Sequence, residues 1–167
     1  INPSFEDGTM TGWAAYTEGE EAYPFWLSDC GVKDNDNATY TMTGVDGSKL
    51  MNYYGWSWSW NAYFDGIRQT IPGMPAGNYR VSAVMGGWSN WDMTLKVNDE
   101  EQTKTATGAG DGIPFSVDVT LEEPGDLVIT SQVVHTNNNA WEACFLKVDN
   151  FRIYNLDHYY DALDAAI

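Results

Sequence analysis

Residues 67–87 read IRQTIPGMPAGNYRVSAVMGG and contain the clearest secondary-structure pattern of the chain. Side chains alternate between two phases over 67–71, prolines and glycines interrupt 72–77, and the alternation resumes over 79–85. A period of two places successive side chains on opposite faces of a sheet. The stretch therefore predicts two β-strands separated by a turn.

The same alternation recurs along most of the chain, in short runs separated by Gly, Pro, Asn and Asp. Regular spacing of short strands between such turns is typical of an all-β sandwich or jelly roll, which is the predicted fold class. The further candidate strands are Tyr23–Leu27, Ala38–Thr43, Met93–Val97, Phe115–Leu121, Leu127–Val134 and Cys144–Tyr154.

The last of these strands has an irregular phase. Leu146 and Val148 share one phase, and Phe151 and Ile153 share another that is offset by three residues. A β-bulge at 149–150 would let both pairs point into the core. Bulges often aim a side chain at a functional site, so this position is a candidate.

Helical spacing appears only from Leu156 to Ile167, with Asp157 near the expected helix start. We expect residues 1–155 to form the sandwich and 156–167 to form a short helical tail, either a linker or the start of a following module. Because a helix begins where the sandwich ends, we expect a part of a longer protein. The chain begins at Ile1 without a leader pattern, so we expect any targeting peptide to have been removed or to lie outside it.

Composition excludes several function classes. The 167 residues suit one domain, and 24 acidic against 8 basic side chains give a net charge of -16. Such a charge repels phosphate backbones and anionic membranes, and no apolar run approaches the roughly 20 residues that cross a bilayer. We therefore expect neither nucleic-acid binding nor membrane insertion.

The two cysteines, Cys30 and Cys144, lie far apart in the sequence. One disulfide and two small buried thiols are both compatible with this spacing. The sequence leaves this choice open.

The 8 tryptophans are more than one core of this size usually holds. Three of them alternate with serine in the stretch 53–64, YYGWSWSWNAYF. In an extended chain Trp56, Trp58 and Trp60 share one face at intervals of roughly 6.6–6.8 Å, a spacing comparable to one pyranose ring. Sugar C–H faces stack on aromatic planes, so the run suits a polysaccharide; the alternative is that some of these rings belong to the core.

A second cluster, GGWSNWD at 86–92, offers Trp88 and Trp91 as rings and Asn90 and Asp92 as partners for sugar hydroxyls. Here too, packing of one tryptophan against the core is the alternative. The remaining tryptophans are interpreted as framework residues: Trp13, Trp26 and Trp141.

Several motifs together resemble a known family. They are NPSFEDG at 2–8 followed by Gly12-Trp13, IRQTIP at 67–72 with PAGNYRVSA at 75–83, and VDNFRIY at 148–154. Over residues 1 to about 155 the chain is similar to carbohydrate-binding modules with the galactose-binding-like jelly roll. It resembles in particular those attached to plant-polysaccharide-degrading enzymes of gut and rumen Bacteroidetes.

The resemblance implies a structural calcium ion, with Glu6 and Asp149 at the positions of its ligands. Hard oxygen donors suit calcium, although both residues also fit as ordinary solvated acids. It also implies a stacking tryptophan just before the Gln-x-Ile strand, where Trp60 and its neighbours Trp56 and Trp58 fall. A secreted or cell-surface bacterial location, a monomeric state and a neighbouring glycoside hydrolase or esterase domain are further expectations.

Catalytic motifs are missing from the sequence. It has no Gly-x-Ser-x-Gly, no His-Glu-x-x-His and no phosphate-binding loop, and only His135 and His158 could serve as a histidine base. The acids do not single out a facing pair of the kind a glycosidase needs. We therefore predict a non-catalytic module that binds a β-glycan such as xylan, β-glucan or mannan. The alternatives are a small β-sandwich enzyme acting on glycans and a protein-adhesion module.

Overall fold

The computed structural model describes residues 2–18, 31–36, 40–56, 63–88, 91–108, 110–135 and 143–158. Strands dominate this part of the chain. In order they are β1 (Ala14–Glu18), β2 (Gly31–Asp34), β3 (Lys49–Trp56), β4 (Tyr63–Met74), β5 (Gly77–Gly87), β6 (Asp92–Val97), β7 (Glu100–Thr105), β8 (Ile113–Leu121), β9 (Gly125–His135) and β10 (Ala143–Asn155).

The strands form two antiparallel sheets, and this confirms the predicted all-β sandwich. The first sheet has the order β1-β4-β9-β6-β7, and the second has the order β2-β3-β10-β5-β8. Their inner faces enclose one core, to which the first sheet contributes Ile67, Leu95 and Ile129 and the second Val81 and Val148. No helix in the described ranges is long and apolar enough to span a membrane.

The two strands predicted from residues 67–87 are β4 and β5, and the turn between them carries the chain from one sheet to the other. Along β5 the side chains of Tyr79, Val81 and Ala83 are buried while their neighbours are exposed or half-buried. The Tyr79 hydroxyl donates to the Pro75 carbonyl at 2.9 Å. This hydrogen bond ties the turn to the strand that follows it.

The bulge predicted in the last strand is confirmed. The register of β10 against β5 shifts between Asp149 and Arg152, and Asn150 adopts a left-handed φ of 56°. Residues on both sides of the bulge, Val148 and Phe151, are buried in the core as the phase analysis requires. Phe151 donates its backbone N–H to the Pro3 carbonyl at 3.0 Å, which attaches the N-terminal segment to this point of β10.

The predicted strand Ala38–Thr43 is wrong where the structure describes it, because residues 40–43 form a turn and a loop. The Asn35 side chain accepts from the Met42 N–H at 2.7 Å and donates to the Met42 carbonyl at 3.3 Å. These bonds compete with a strand ladder. The loop instead covers the outer face of the second sheet, where the buried Lys147 donates to the Thr41 carbonyl at 2.8 Å.

The framework interpretation of Trp13 is confirmed. Its ring centroid lies 4.3 Å from that of Phe151 and 5.8 Å from that of Phe5, and its Nε1 donates to the Asn2 carbonyl at 3.0 Å. Trp26, Trp141 and the predicted strand Tyr23–Leu27 lie outside the described residues.

The C-terminal helix is described only over residues 156–158. Its N-terminal cap is Asn155, whose Oδ1 accepts from the backbone N–H groups of Asp157 and His158 at 3.0 and 3.3 Å. Asp157 lies in the first helical turn, near the helix start as expected, but it is not the cap. Its carboxylate instead binds the backbone N–H and the side-chain amide of Asn78 at 2.8 and 2.7 Å.

Candidate functional site: the tryptophan end and the carboxylate cluster

Sheet register brings several strand ends together at one end of the sandwich. Trp56, the last residue of β3, pairs with Ala143 at the start of β10, and Tyr63 at the start of β4 pairs with His135 at the end of β9. The links β1–β2, β3–β4, β5–β6 and β9–β10 therefore leave the sandwich at the same end. We call this the tryptophan end, because Trp56 ends β3 there and Trp88 and Trp91 lie between β5 and β6.

Trp88 is the most exposed ring that the structure describes at this end. Its side chain is 40% exposed, whereas Phe145 beside it is only 6% exposed. The two rings are stacked, with centroids 6.0 Å apart and an interplanar angle of 17°. Phe145 therefore holds the Trp88 indole in a fixed orientation at the surface.

The other residues of the second cluster have different environments. Trp91 is half-buried and packs against the core, and Asp92 Oδ1 accepts from the Thr105 hydroxyl at 2.7 Å. Asn90, Trp58 and Trp60 lie outside the described residues, and Trp56 is described only by its place at the end of β3. The sugar-binding roles of all these residues stay predictions.

A row of buried polar side chains lies on the outer face of the first sheet, next to the tryptophan end. Thr94, Thr130 and Gln132 are each less than 5% exposed, although they point away from the core. Thr94 shares a 2.8 Å hydrogen bond with Thr103. The sequence does not single out these residues, because the polar phase of an alternating strand is typical of a solvent-facing surface.

The two predicted calcium ligands lie on either side of one loop segment, residues 46–49. Asp149 Oδ2 accepts from the Asp46 N–H at 2.7 Å. Glu6 Oε1 accepts from the N–H groups of Ser48 and Lys49 at 2.9 and 2.6 Å, and its Oε2 accepts from the Ser48 hydroxyl at 3.0 Å. The loop therefore joins the N-terminal segment to the bulge in β10.

Asp149 has the features of a metal ligand. It is fully buried, and its Oδ1 has no hydrogen-bond donor among the described residues. Burial raises the pKa of Asp149 to about 7, with further contributions from the nearby Asp46 and Glu6 carboxylates. A buried carboxylate with an unpaired oxygen is stabilised by a cation.

Few side-chain ligands surround this position. Within the described ranges, no three His, Cys, Asp or Glu side chains are grouped as a metal site groups them. Further ligands would come from the nearby Asp46 carboxylate, hydroxyl groups, backbone carbonyls or water, all of which calcium accepts.

Gly47 is the residue whose substitution tests the Glu6 contacts. It has a φ of +94°, and a Cβ there would lie 2.5 Å from Glu6 Cδ. We expect Gly47→Ala to reduce the free energy of unfolding by about 2–4 kcal/mol, because backbone strain adds to the loss of the Glu6 hydrogen bonds. Urea denaturation monitored by tryptophan fluorescence measures this change.

Gly73 provides the matched control. Its φ is +67°, and nothing lies within 4 Å of the position of an added Cβ. Gly73→Ala therefore introduces the backbone strain alone, at about 1–2 kcal/mol. Equal losses in the two variants would show that the Glu6 contacts do not stabilise the fold.

Comparisons with known proteins support the architecture. No protein-family model and no curated protein matches the chain. Among solved structures, TmCBM61 in complex with β-1,4-galactotriose matches with a TM-score of 0.59 and 19% identity, over 92% of this chain and 95% of that chain. The CBM22-1 xylan-binding domain from Paenibacillus barcinonensis Xyn10C matches with a TM-score of 0.51 and 14% identity, over 92% and 91%.

An exo-β-agarase also matches, with a TM-score of 0.59 and 10% identity, over 92% of this chain and 24% of the agarase chain. At such identities the likeness shows the fold. The chain has the β-sandwich of carbohydrate-binding modules, so the predicted resemblance is confirmed at the level of the fold. An origin in Bacteroidetes stays a prediction.

Proposed function

We propose that the chain is a non-catalytic module that binds a plant cell-wall β-glycan by stacking sugar rings on tryptophans. The observation that carries the proposal is the position of Trp56, Trp88 and Trp91 at one end of the sandwich, with Trp88 exposed and stacked on Phe145. The fold shared with modules whose structures were solved with galactotriose or named as xylan-binding supports it.

The ligand path runs from the tryptophan end onto the outer face of the first sheet. Asp92 is the first residue of β6 on this face. The buried pair of Thr94 and Gln132 lies two residues farther along the strands. The half-buried Asp92 offers a carboxylate to sugar hydroxyls on this face, whereas the tryptophan rings stack on the apolar faces of the sugars. A protein-adhesion surface would instead be broad, flat and apolar.

We also propose a structural calcium ion held by Asp149 and Glu6. The unpaired Asp149 Oδ1 and its raised pKa support this site. The ion would neutralise the buried carboxylate and cross-link the N-terminal segment, the loop 46–49 and β10. The site lies away from the tryptophan end, so its role is stability and not contact with the glycan.

The module would act as part of a larger secreted or cell-surface protein. Binding to the glycan would raise the effective concentration of an attached catalytic domain at its substrate. Residues 156–167 would form the linker to that domain, and the module itself would be a monomer. The rival function, a small glycan-active enzyme, predicts turnover of the polymer by the isolated chain.

Affinity electrophoresis tests the proposed function. Native gels contain xylan, mixed-linkage β-glucan, glucomannan, xyloglucan or β-1,4-galactan, and bovine serum albumin serves as the non-binding reference. We expect retardation in at least one gel and no release of reducing sugar from any polymer. Normal migration in every gel would exclude this function, and release of sugar would indicate an enzyme.

A further inference from the structure

Two basic side chains of this acidic protein lie close together on the outer face of the first sheet. Arg68 in β4 and Lys96 in β6 both pair with Thr130 of the strand between them. Adjacent strands are about 4.8 Å apart, so the two backbones are roughly 10 Å from one another. Within the part of the chain that the structure describes, neither side chain forms an ion pair with a carboxylate.

Other basic residues of the described chain are differently engaged. Lys49 pairs with Asp34, Arg80 with Asp118, and Arg152 with Asp46. Lys147 is buried beneath Thr41. Arg68 and Lys96 lie side by side without a carboxylate partner in the described chain, so their positive charge is available to a ligand.

Arg68 is held in a fixed position. Its guanidinium carbon lies 3.5 Å from the centroid of the Tyr16 ring, and its Nε donates to the Thr130 hydroxyl at 3.0 Å. These contacts occupy one face of the guanidinium group and its Nε–H. The two Nη groups form the remaining planar edge of the guanidinium. That edge matches the two oxygens of a carboxylate.

The next row of the same face contains a hydrogen-bond acceptor. Gln132 pairs with Thr94 on one side and with Gly66 on the other. It is 4% exposed, and its Oε1 accepts no hydrogen bond from the residues that the structure describes. Because this oxygen is buried, a ligand on this face would contact the half-buried Arg68 and Lys96 instead.

The two rows continue the ligand path from the tryptophan end. Side chains on one face repeat every two residues, or about 6.7 Å along a strand. The Arg68 and Lys96 row is therefore two repeats, roughly 13 Å, from the row of Asp92. A bound oligosaccharide of a few residues spans that distance.

We propose that Arg68 and Lys96 bind the carboxylate of a uronic acid that is carried as a side group by the bound glycan. The proposal rests on the proposed function and names its ligand class more closely. The net charge of -16 favours spaced acidic groups on a neutral main chain over a dense polyanion. At about 0.15 M salt the Debye length is about 8 Å, so distant acids are screened while the contact pair is not.

Two acidic residues on the same face lie at the edges of the cation pair. Glu101 of β7 lies opposite Lys96 and is exposed, and Asp92 lies toward the tryptophan end with its Oδ1 bonded to Thr105. Neither is opposite Arg68, which pairs with Ala14 and Thr130. Arg68 is therefore expected to contribute more to carboxylate binding than Lys96.

The test compares glucuronoxylan, a xylan with glucuronic acid side groups, with the same polymer after chemical reduction of its carboxyl groups. Isothermal titration calorimetry of the chain at 0.15 M salt is expected to show about tenfold tighter binding to the acidic polymer. Arg68→Gln is expected to remove most of that preference, and Lys96→Gln part of it. Arg80→Gln makes the same charge change on the second sheet and should retain the preference.

Each outcome has a defined meaning. Equal affinity of the unmodified chain for the two polymers would overturn the carboxylate site and leave the proposed function intact. Absence of binding to both polymers and to the neutral glycans above would overturn both proposals. Tighter binding to a sulfated galactan than to its desulfated form, without a preference for glucuronoxylan, would assign the two cations to sulfate esters and exclude the carboxylate.

Discussion

Replacing Trp88 with alanine is expected to weaken glycan binding about 30-fold, equivalent to about 2 kcal/mol, as for other central aromatic contacts. The indole is exposed at the tryptophan end, and Phe145 fixes its orientation, so little conformational entropy is lost when a sugar stacks on it. The free energy of unfolding should fall by only about 1 kcal/mol, the value of one aromatic pair. Calorimetry with the glycan identified by electrophoresis gives the first value, and urea denaturation gives the second.

Tyr154→Ala is the matched control for this prediction. Tyr154 is an aromatic residue of similar exposure, 47%, near the opposite end of β10. Its loss should leave glycan affinity unchanged. Equal affinity losses in the two variants, or a large loss of stability in Trp88→Ala alone, would show that Trp88 is not a stacking platform. The same pair of measurements on Trp58→Ala and Trp60→Ala tests the roles predicted for those residues.

The strands with strong alternation could be predicted because their pattern reflects burial directly. In β5 and β8 every second side chain lies in the core, and the period of two in the sequence is the same as the period of burial. The bulge in β10 was also predictable, since the three-residue offset between two apolar pairs has no other solution in one strand.

Other strands could not be predicted because tertiary pairing, and not an apolar face, keeps them extended. The edge strand β7 reads EEQTKT and follows β6 through a tight turn, so its ladder with β6 determines its conformation. The loop over residues 40–43 shows the reverse case. Its sequence alternates, but it forms a loop because the Asn35 side chain bonds the Met42 backbone and the Thr41 carbonyl accepts a hydrogen bond from Lys147.

The candidate site also has a part that the sequence predicts and a part that it does not. Residue type alone identified the tryptophans as candidate platforms, but sheet order was needed to bring Trp56, Trp88 and Trp91 to one end. The sequence gives no sign that Arg68 and Lys96 are neighbours, because they are joined through Thr130 of a strand that comes later in the chain. This part of the site depends on pairing between strands that are distant in the sequence.

Calcium is expected to raise the melting temperature of the chain, and Asp149→Asn is expected to abolish the effect. At a free calcium concentration 100 times the dissociation constant, a site present only in the folded state adds about 2.7 kcal/mol to the free energy of unfolding. For a domain of this size that is a rise of about 5–11 °C. Differential scanning calorimetry with calcium, and after chelation with EGTA, measures it.

The effect should grow with pH, and the sign follows from the Asp149 pKa. Burial raises this pKa from 3.8 to about 7, so the calcium-free folded state favours the protonated carboxyl group. Its contribution to stability is fully present below pH 3.8 and is lost as the pH rises through 7. Calcium offsets the buried negative charge, and the calcium-dependent rise should therefore be larger at pH 8 than at pH 5.

Asp118→Asn provides the matched control for this prediction, since it removes one exposed carboxylate that pairs with Arg80 on the outer face of the second sheet. It should retain the full calcium response. Asp149→Asn should lack the response, and its melting temperature without calcium should fall less between pH 5 and 8 than that of the unmodified chain, because the amide has no charge to bury. A calcium response that survives in Asp149→Asn would place the ion elsewhere, and a response that is largest at pH 5 would contradict the role of the buried carboxylate.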